Sequence, residues 1–349
     1  MDAARRGLQQ DASGDSRLNH IDILKGIGII LMVIGHMHYW PNFNKFIFGF
    51  HMPLFFWISG YLYHKPTNIL IYAMRKVRTL LIPYFIAGLA YSFLDWFRAG
   101  WDFEELAFNL KSVFIKTTYD LPIESALWFL FALFWVTLMY AALDVCVRSG
   151  TIQILIVIVI TTAGCLWTRW LHYLPWGLNS AMSALGFFAL GHQYRQRVSQ
   201  GKEIVFSRST HINGKIWVGG GTALLFGALI MLNGNLNIRT GSFGILPLSY
   251  LNAQVYIFLL YQIAEFLAKV TNKIARRLTD WIALVGRWSI IYVCTNHGAL
   301  LLGKTFWRPA GLLAGSLGEV FLEFITAMFI MAGIALIVRK TILREVFAL

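Results

Sequence analysis

Three histidines stand in stretches of chain otherwise fit for lipid: His36, His51 and His297. Imidazole is the side chain whose ordinary pKa lies nearest neutrality, so it can take up and return a proton during group transfer. Ionisable groups inside a bilayer are costly; they usually face a cavity and mark function. A lone buried histidine also serves as a hydrogen-bonding link between helices, and either role fits one such residue. Three converging on one cavity are less easily set aside. His38, nearer the expected interface, reads as structural.

Cations accompany these histidines. Lys25 precedes His36 by eleven residues. On a helix that separation returns to within about 20° of the same direction after a rise of about 16 Å. One helix face would then carry a cation at a membrane boundary and an imidazole deep inside. Arg75 and Arg78 stand one helical turn apart after the second apolar run, a spacing suited to clamping a phosphate, although ordinary loop charge reads the same way. Within Phe50-His51-Met52-Pro53, Pro53 cannot donate to the Gly49 carbonyl, which is expected to remain a free acceptor beside His51. Either a bent helix start or a simple proline kink satisfies that pattern. Gly26 with Gly28 lacks the third glycine of a dinucleotide loop, and Gly219 to Gly221 lacks the Lys-Ser/Thr of a phosphate loop. Both read as close helix packing. Cys146, Cys165 and Cys294 show no metal-ligand spacing, so neither a zinc site nor a disulfide framework is expected.

The elements that must position these groups are membrane helices. The 349 residues are 57% hydrophobic and 13% charged, an apolar excess that a soluble core of this length could not hide but a bilayer can. The expected fold is all-α: one polytopic bundle of about ten spans, near 24–40, 46–64, 79–97, 126–147, 151–168, 178–194, 216–233, 245–268, 288–304 and 315–338. Residues 1–20 are polar and expected to be a disordered cytoplasmic tail, with one membrane domain over 21–349 and no room for an appended soluble domain. The first apolar run has no small-residue cleavage site and reads as a retained helix. Trp40, Trp96, Trp128, Trp170 and Trp176 cluster near span ends, as interfacial anchors do. The loop at 98–125 is acidic enough to hold a short amphipathic helix. The net charge of +13 sits between apolar runs and reports topology, not nucleic-acid binding. With the N-terminus cytoplasmic, 22 of the 30 Lys and Arg fall on that side and 8 on the other, so both termini are expected in the cytoplasm.

At these residues the chain resembles acyltransferase family 3, bacterial membrane enzymes that O-acylate cell-surface glycans, and within it the fucose O-acetylase-like branch. The resemblance covers about 20–340 and rests on five segments. They are the first span to His36, Phe50-His51-Met52-Pro53-Leu54-Phe55-Phe56 to Tyr61, Arg75-Lys76-Val77-Arg78 to Pro83-Tyr84, Leu127-Trp128-Phe129-Leu130, and Val285-Gly286-Arg287-Trp288-Ser289 to His297. The family's first motif pairs a basic residue, commonly Arg, with a His after ten intervening positions. Lys25 and His36 match it, lysine keeping the charge without the bidentate fork.

The resemblance implies a cytosolic acyl-CoA donor, foremost acetyl-CoA, and a carbohydrate acceptor across the membrane or carried on lipid. It implies residence in the bacterial inner membrane. His36 would take the acceptor hydroxyl's proton, and His51 or His297 would orient the acceptor or stabilise the oxyanion. Lys25, Arg75 and Arg78 would hold the CoA phosphates. Direct transfer and a covalent acyl-histidine both fit these residues, with transfer completed alone or with a separate partner. The rival class is a non-catalytic transporter or flippase of a lipid-linked glycan. It would show inverted repeats and matching interrupted helices, and the sequence has no such repeat.

Overall fold

The structure is a computed structural model. It describes the backbone of residues 2–118, 120–122, 126–170, 174–201, 212–307 and 316–341, and the side chains in those ranges except 2–18, 168–170 and 212–218. Part of the charge asymmetry, including Lys202, Arg208, Arg308 and Arg344, lies outside the described residues.

Helices make up nearly all of the described chain, and no β-strand occurs among the described residues; Asn237 and Ser242 form an isolated bridge. The first part holds α1 (Asp2–Met37), α2 (Pro41–Phe48), α3 (His51–Tyr61), α4 (Ile69–Lys76), α5 (Ile82–Arg98) and α6 (Phe103–Lys111). Next come α7 (Trp128–Cys146), α8 (Gly150–Trp170), α9 (Leu178–Ser199) and α10 (Ile212–Leu232). The chain continues through α11 (Leu246–Ala268), α12 (Lys273–Arg287), α13 (Ser289–Trp307) and α14 (Leu317–Lys340).

Among the described residues, six stretches are long and apolar enough to cross a bilayer: Asn19–Met37, Ile69–Arg98, Trp128–Cys146, Gly150–Trp167, Leu246–Ala268 and Leu317–Lys340. The remaining expected spans fall on α3, α9, α10 and α13. Of these, α3 has only eleven residues, about 16 Å of rise against a hydrocarbon core of about 30 Å. Polar residues interrupt α9 and α13, and they face inward: Asn179, Ser180, Ser183 and Asn296 are fully buried. Polar groups kept off the lipid face are what a membrane interior tolerates.

Local breaks do much of the positioning. The expected single span at 46–64 is broken, with α2 ending at Phe48 and α3 starting at His51. Pro53 therefore sits in the first turn of α3, where its missing N–H costs nothing, and the simple proline kink does not occur. A wide π-helical turn, Val77–Leu81, joins α4 to α5. Each residue of such a turn advances less around the axis, so the faces of α4 and α5 fall out of ordinary register.

Close packing relies on glycine at two crossings. A Cβ at Gly60 would strike the Phe188 carbonyl oxygen and one at Gly191 the Trp57 carbonyl oxygen, so α3 and α9 meet backbone to backbone. Gly26 and Gly286 do the same where α1 crosses α12, against Ile282 and Asp22. Gly28 meets the Phe55 ring. Gly219, Gly220 and Gly221 differ from expectation: a Cβ there meets nothing within 4 Å, so they pack no neighbour among the described residues.

Two further points correct the reading from sequence. Trp128 is buried in the core, whereas Trp40 and Trp176 are exposed. Residues 273–287, left between the expected spans at 245–268 and 288–304, form α12, whose Ile274, Leu278 and Trp281 make an exposed apolar stripe. That spacing puts the three on one exposed face of an amphipathic helix. The acidic loop does hold a short helix, α6, with Asp102 accepting from the Glu104 N–H at 2.8 Å as its cap.

Candidate active site

The ends of α1 and α3 and the middle of α13 bring the three histidines together. The rings of His36 and His297 lie 4.5 Å apart, and those of His36 and His51 6.4 Å apart. His36 is thus the central ring. His38, at φ 60°, terminates α1 beside it, with ring centroids 6.1 Å from His36.

Each ring is held by its own element. The break after Phe48 leaves the Ile47 carbonyl accessible, and His51 Nδ1 bonds it at 3.2 Å. The acceptor beside His51 is therefore Ile47, not Gly49. His297 is set by an unusual contact in α13. The Tyr91 hydroxyl donates to the Cys294 carbonyl at 2.6 Å and accepts from the Gly298 N–H at 3.2 Å. Those two groups belong to one step of the helical ladder, so a side chain from α5 is spliced into the turn that carries His297. Adjacent Asn296 is fully buried, and neither of its amide atoms has a partner among the described residues. Such groups are costly unless something occupies the space beside them.

A cavity of about 700 Å³ opens at the other end of the bundle. That is within the range that holds a small ligand or cofactor. Lys25, Lys65, Arg75, Lys76 and Arg287 line it together with Trp288 and Tyr72. Asp22 bridges two of these cations, at 3.4 Å to Lys25 Nζ and 3.1 Å to Arg287 Nε. Lys65 bonds the Asp144 carbonyl and lies 3.6 Å from its carboxylate. No carboxylate among the described residues pairs with Arg75 or Lys76. Arg78 does not line this cavity. It falls in the π-turn, exposed, whereas Arg75 belongs to α4.

The cavity reaches inward to Phe55, Phe129 and Val293. Phe55 and Phe129 stand 5.8 Å apart as a partition. His51 lies four residues from Phe55 and His297 four from Val293, each one turn or about 6 Å further along its helix. The inner end of the cation-lined cavity thus lies about one helical turn from His51 and His297.

A model of the acyltransferase domain family matches residues 18–340, nearly the whole chain. The chain belongs to this family. No curated protein and no solved structure matches it. This membrane acyltransferase carries its histidine cluster with no group of three His, Cys, Asp or Glu disposed to hold a metal ion among the described residues.

Sequence reasoning missed several residues of the candidate site. Asp22 and Tyr91 are ordinary types at ordinary places, and nothing in the sequence marks them. Arg239 comes from the 233–245 loop, its Nε donating to the Thr118 carbonyl at 2.7 Å, and lies within electrostatic reach of His36 and His297. Glu323 was legible, being a carboxylate within an apolar span. It is fully buried, accepts from the Tyr39 hydroxyl at 2.6 Å, and has Lys304 Nζ at 3.9 Å.

Proposed function

We propose that this acyltransferase moves an acetyl group from cytosolic acetyl-CoA to a hydroxyl of a cell-surface or lipid-linked carbohydrate. One observation carries the reading: a cation-lined cavity that ends one helical turn short of three clustered histidines. Arg75, Lys76 and Lys25 hold the CoA phosphates, with Asp22 keeping Lys25 and Arg287 at the cavity wall. Tyr72 and Trp288 offer flat faces to the nucleotide base. The pantetheine arm extends past Phe55 and Phe129 toward the cluster. There the acceptor oxygen attacks the thioester carbonyl, an imidazole receives its proton, and the thiolate leaves with a proton returned by that imidazole. His36, the central ring of the three, is required for this step. Arg78 does not join the donor site.

In this reading the protein sits in the bacterial inner membrane with ten crossings and both termini cytoplasmic, which puts the cavity on the donor side. Residues 21–349 act as one domain behind a short cytoplasmic tail. The α2–α3 break and the inward polar faces of α9 and α13 support the shorter crossings, because irregular backbone at membrane depth is tolerated where it lines a cavity. Mass spectrometry of envelope glycans from cells with and without the gene tests the reaction. Loss of acetyl-bearing species on deletion, restored by the gene, is the expected result. Identical glycan spectra overturn the proposal.

A further inference from the structure

The bond from His51 to Ile47 fixes more than a ring orientation. A carbonyl oxygen only accepts, so at 3.2 Å from it Nδ1 must carry the hydrogen. Neutral imidazole carries one N–H, which leaves Nε2 with a bare lone pair. That atom is buried, the residue is only 3% exposed, and Nε2 has no hydrogen-bond partner among the described residues. Its ring neighbours are Phe48, at 5.1 Å between centroids, and His36. A buried lone pair of this kind can do one thing toward a ligand, which is accept.

The rings around it narrow what it accepts from. His36 and His297 are in contact at 4.5 Å, while the His36 and His51 rings lie further apart, 6.4 Å between centroids with their planes near perpendicular. A hydroxyl that donates to Nε2 would have its oxygen about 2.8 Å from that nitrogen.

We infer that His51 is the catalytic base of the reaction proposed above: held as the Nδ1–H tautomer by the Ile47 carbonyl, it takes the acceptor hydroxyl's proton on Nε2. The acceptor O–H bond breaks as its oxygen bonds the thioester carbonyl carbon. The C–S bond then breaks, and the proton on Nε2 passes to the leaving thiolate. Nδ1–H stays on Ile47 throughout. The developing oxyanion is left to the other two rings, so the proton-accepting role that the family motif gives to His36 passes to its neighbour.

The test uses full-length protein in nanodiscs, acetyl-CoA, and envelope glycan from the deletion strain as acceptor. In His51→Asn the amide nitrogen takes the place of Nδ1 and keeps the bond to Ile47, but nothing replaces Nε2. The variant is expected to keep the wild-type melting temperature and acetyl-CoA affinity while turnover falls 10²–10⁴-fold. A purely structural His51 would instead be rescued by Asn and not by Ala, and His51→Asn turnover within a few-fold of wild type overturns the inference. Histidine-selective ¹⁵N NMR gives a readout independent of activity. One ring is expected with Nδ1 protonated and Nε2 bare, absent in His51→Asn. The opposite tautomer at this residue overturns the inference even if activity is lost. A folded wild type that acetylates no glycan overturns the reading on which the inference rests, and the inference with it.

Discussion

Side chains of the cavity and of the histidine cluster differ in what their loss should reveal. Arg75 lines the cavity without a carboxylate partner among the described residues, while Arg78 does not line it. Arg75→Ala is therefore expected to weaken acetyl-CoA binding about tenfold or more, and Arg78→Ala to leave it within twofold, read by titration in detergent. Equal effects would mean that the cavity does not distinguish them. Tyr91→Phe keeps the ring but withdraws the hydroxyl spliced into α13. Loss of those bonds should cost about 1–3 kcal/mol of stability. It should also lower turnover by moving His297, with donor affinity unchanged. The histidines and Arg75 were legible because ionisable groups stand out against apolar sequence. Tyr91 and Asp22 were not, because their significance lies in contacts between elements far apart in the chain, such as Tyr91 with Gly298.

Helices position these residues through their interruptions as much as their length. The first span could be read from hydropathy and from the Lys25–His36 spacing, and α1 carries both residues as expected. The α2–α3 break could only be half read: Pro53 announced irregular backbone, but not that His51 would open α3 with its ring on Ile47. The π-turn left no mark on composition, and α12 was hidden because its charges resemble a loop. Glycine crossings offer a test at this scale. A side chain at Gly60 meets the backbone of Phe188, which cannot yield as a flexible side chain would. Gly60→Val should lower the melting temperature in detergent through overpacking of about 1–3 kcal/mol. Gly220→Val, facing open space in α10, should leave it unchanged. Equal melting temperatures for the two variants would contradict the α3–α9 contact.

Across the whole molecule, the excess of Lys and Arg on alternate loops sets the expected orientation. Reporter fusions at residues 110 and 205 are expected to report opposite sides, with residue 205 in the cytoplasm. Both reporting one side would break the ten-span proposal. Orientation matters because, in the proposed reaction, the donor enters only at the face where the cation-lined cavity opens. The measurement that reaches this directly is transfer in sealed vesicles of known sidedness, with labelled acetyl-CoA confined to one face. Label should enter the carbohydrate only when acetyl-CoA meets the face bearing Lys25 and Arg75. It should be cut at least 10²-fold in His36→Ala, which still binds acetyl-CoA with wild-type affinity. Labelling from the opposite face, or transfer undiminished in His36→Ala, would contradict the account.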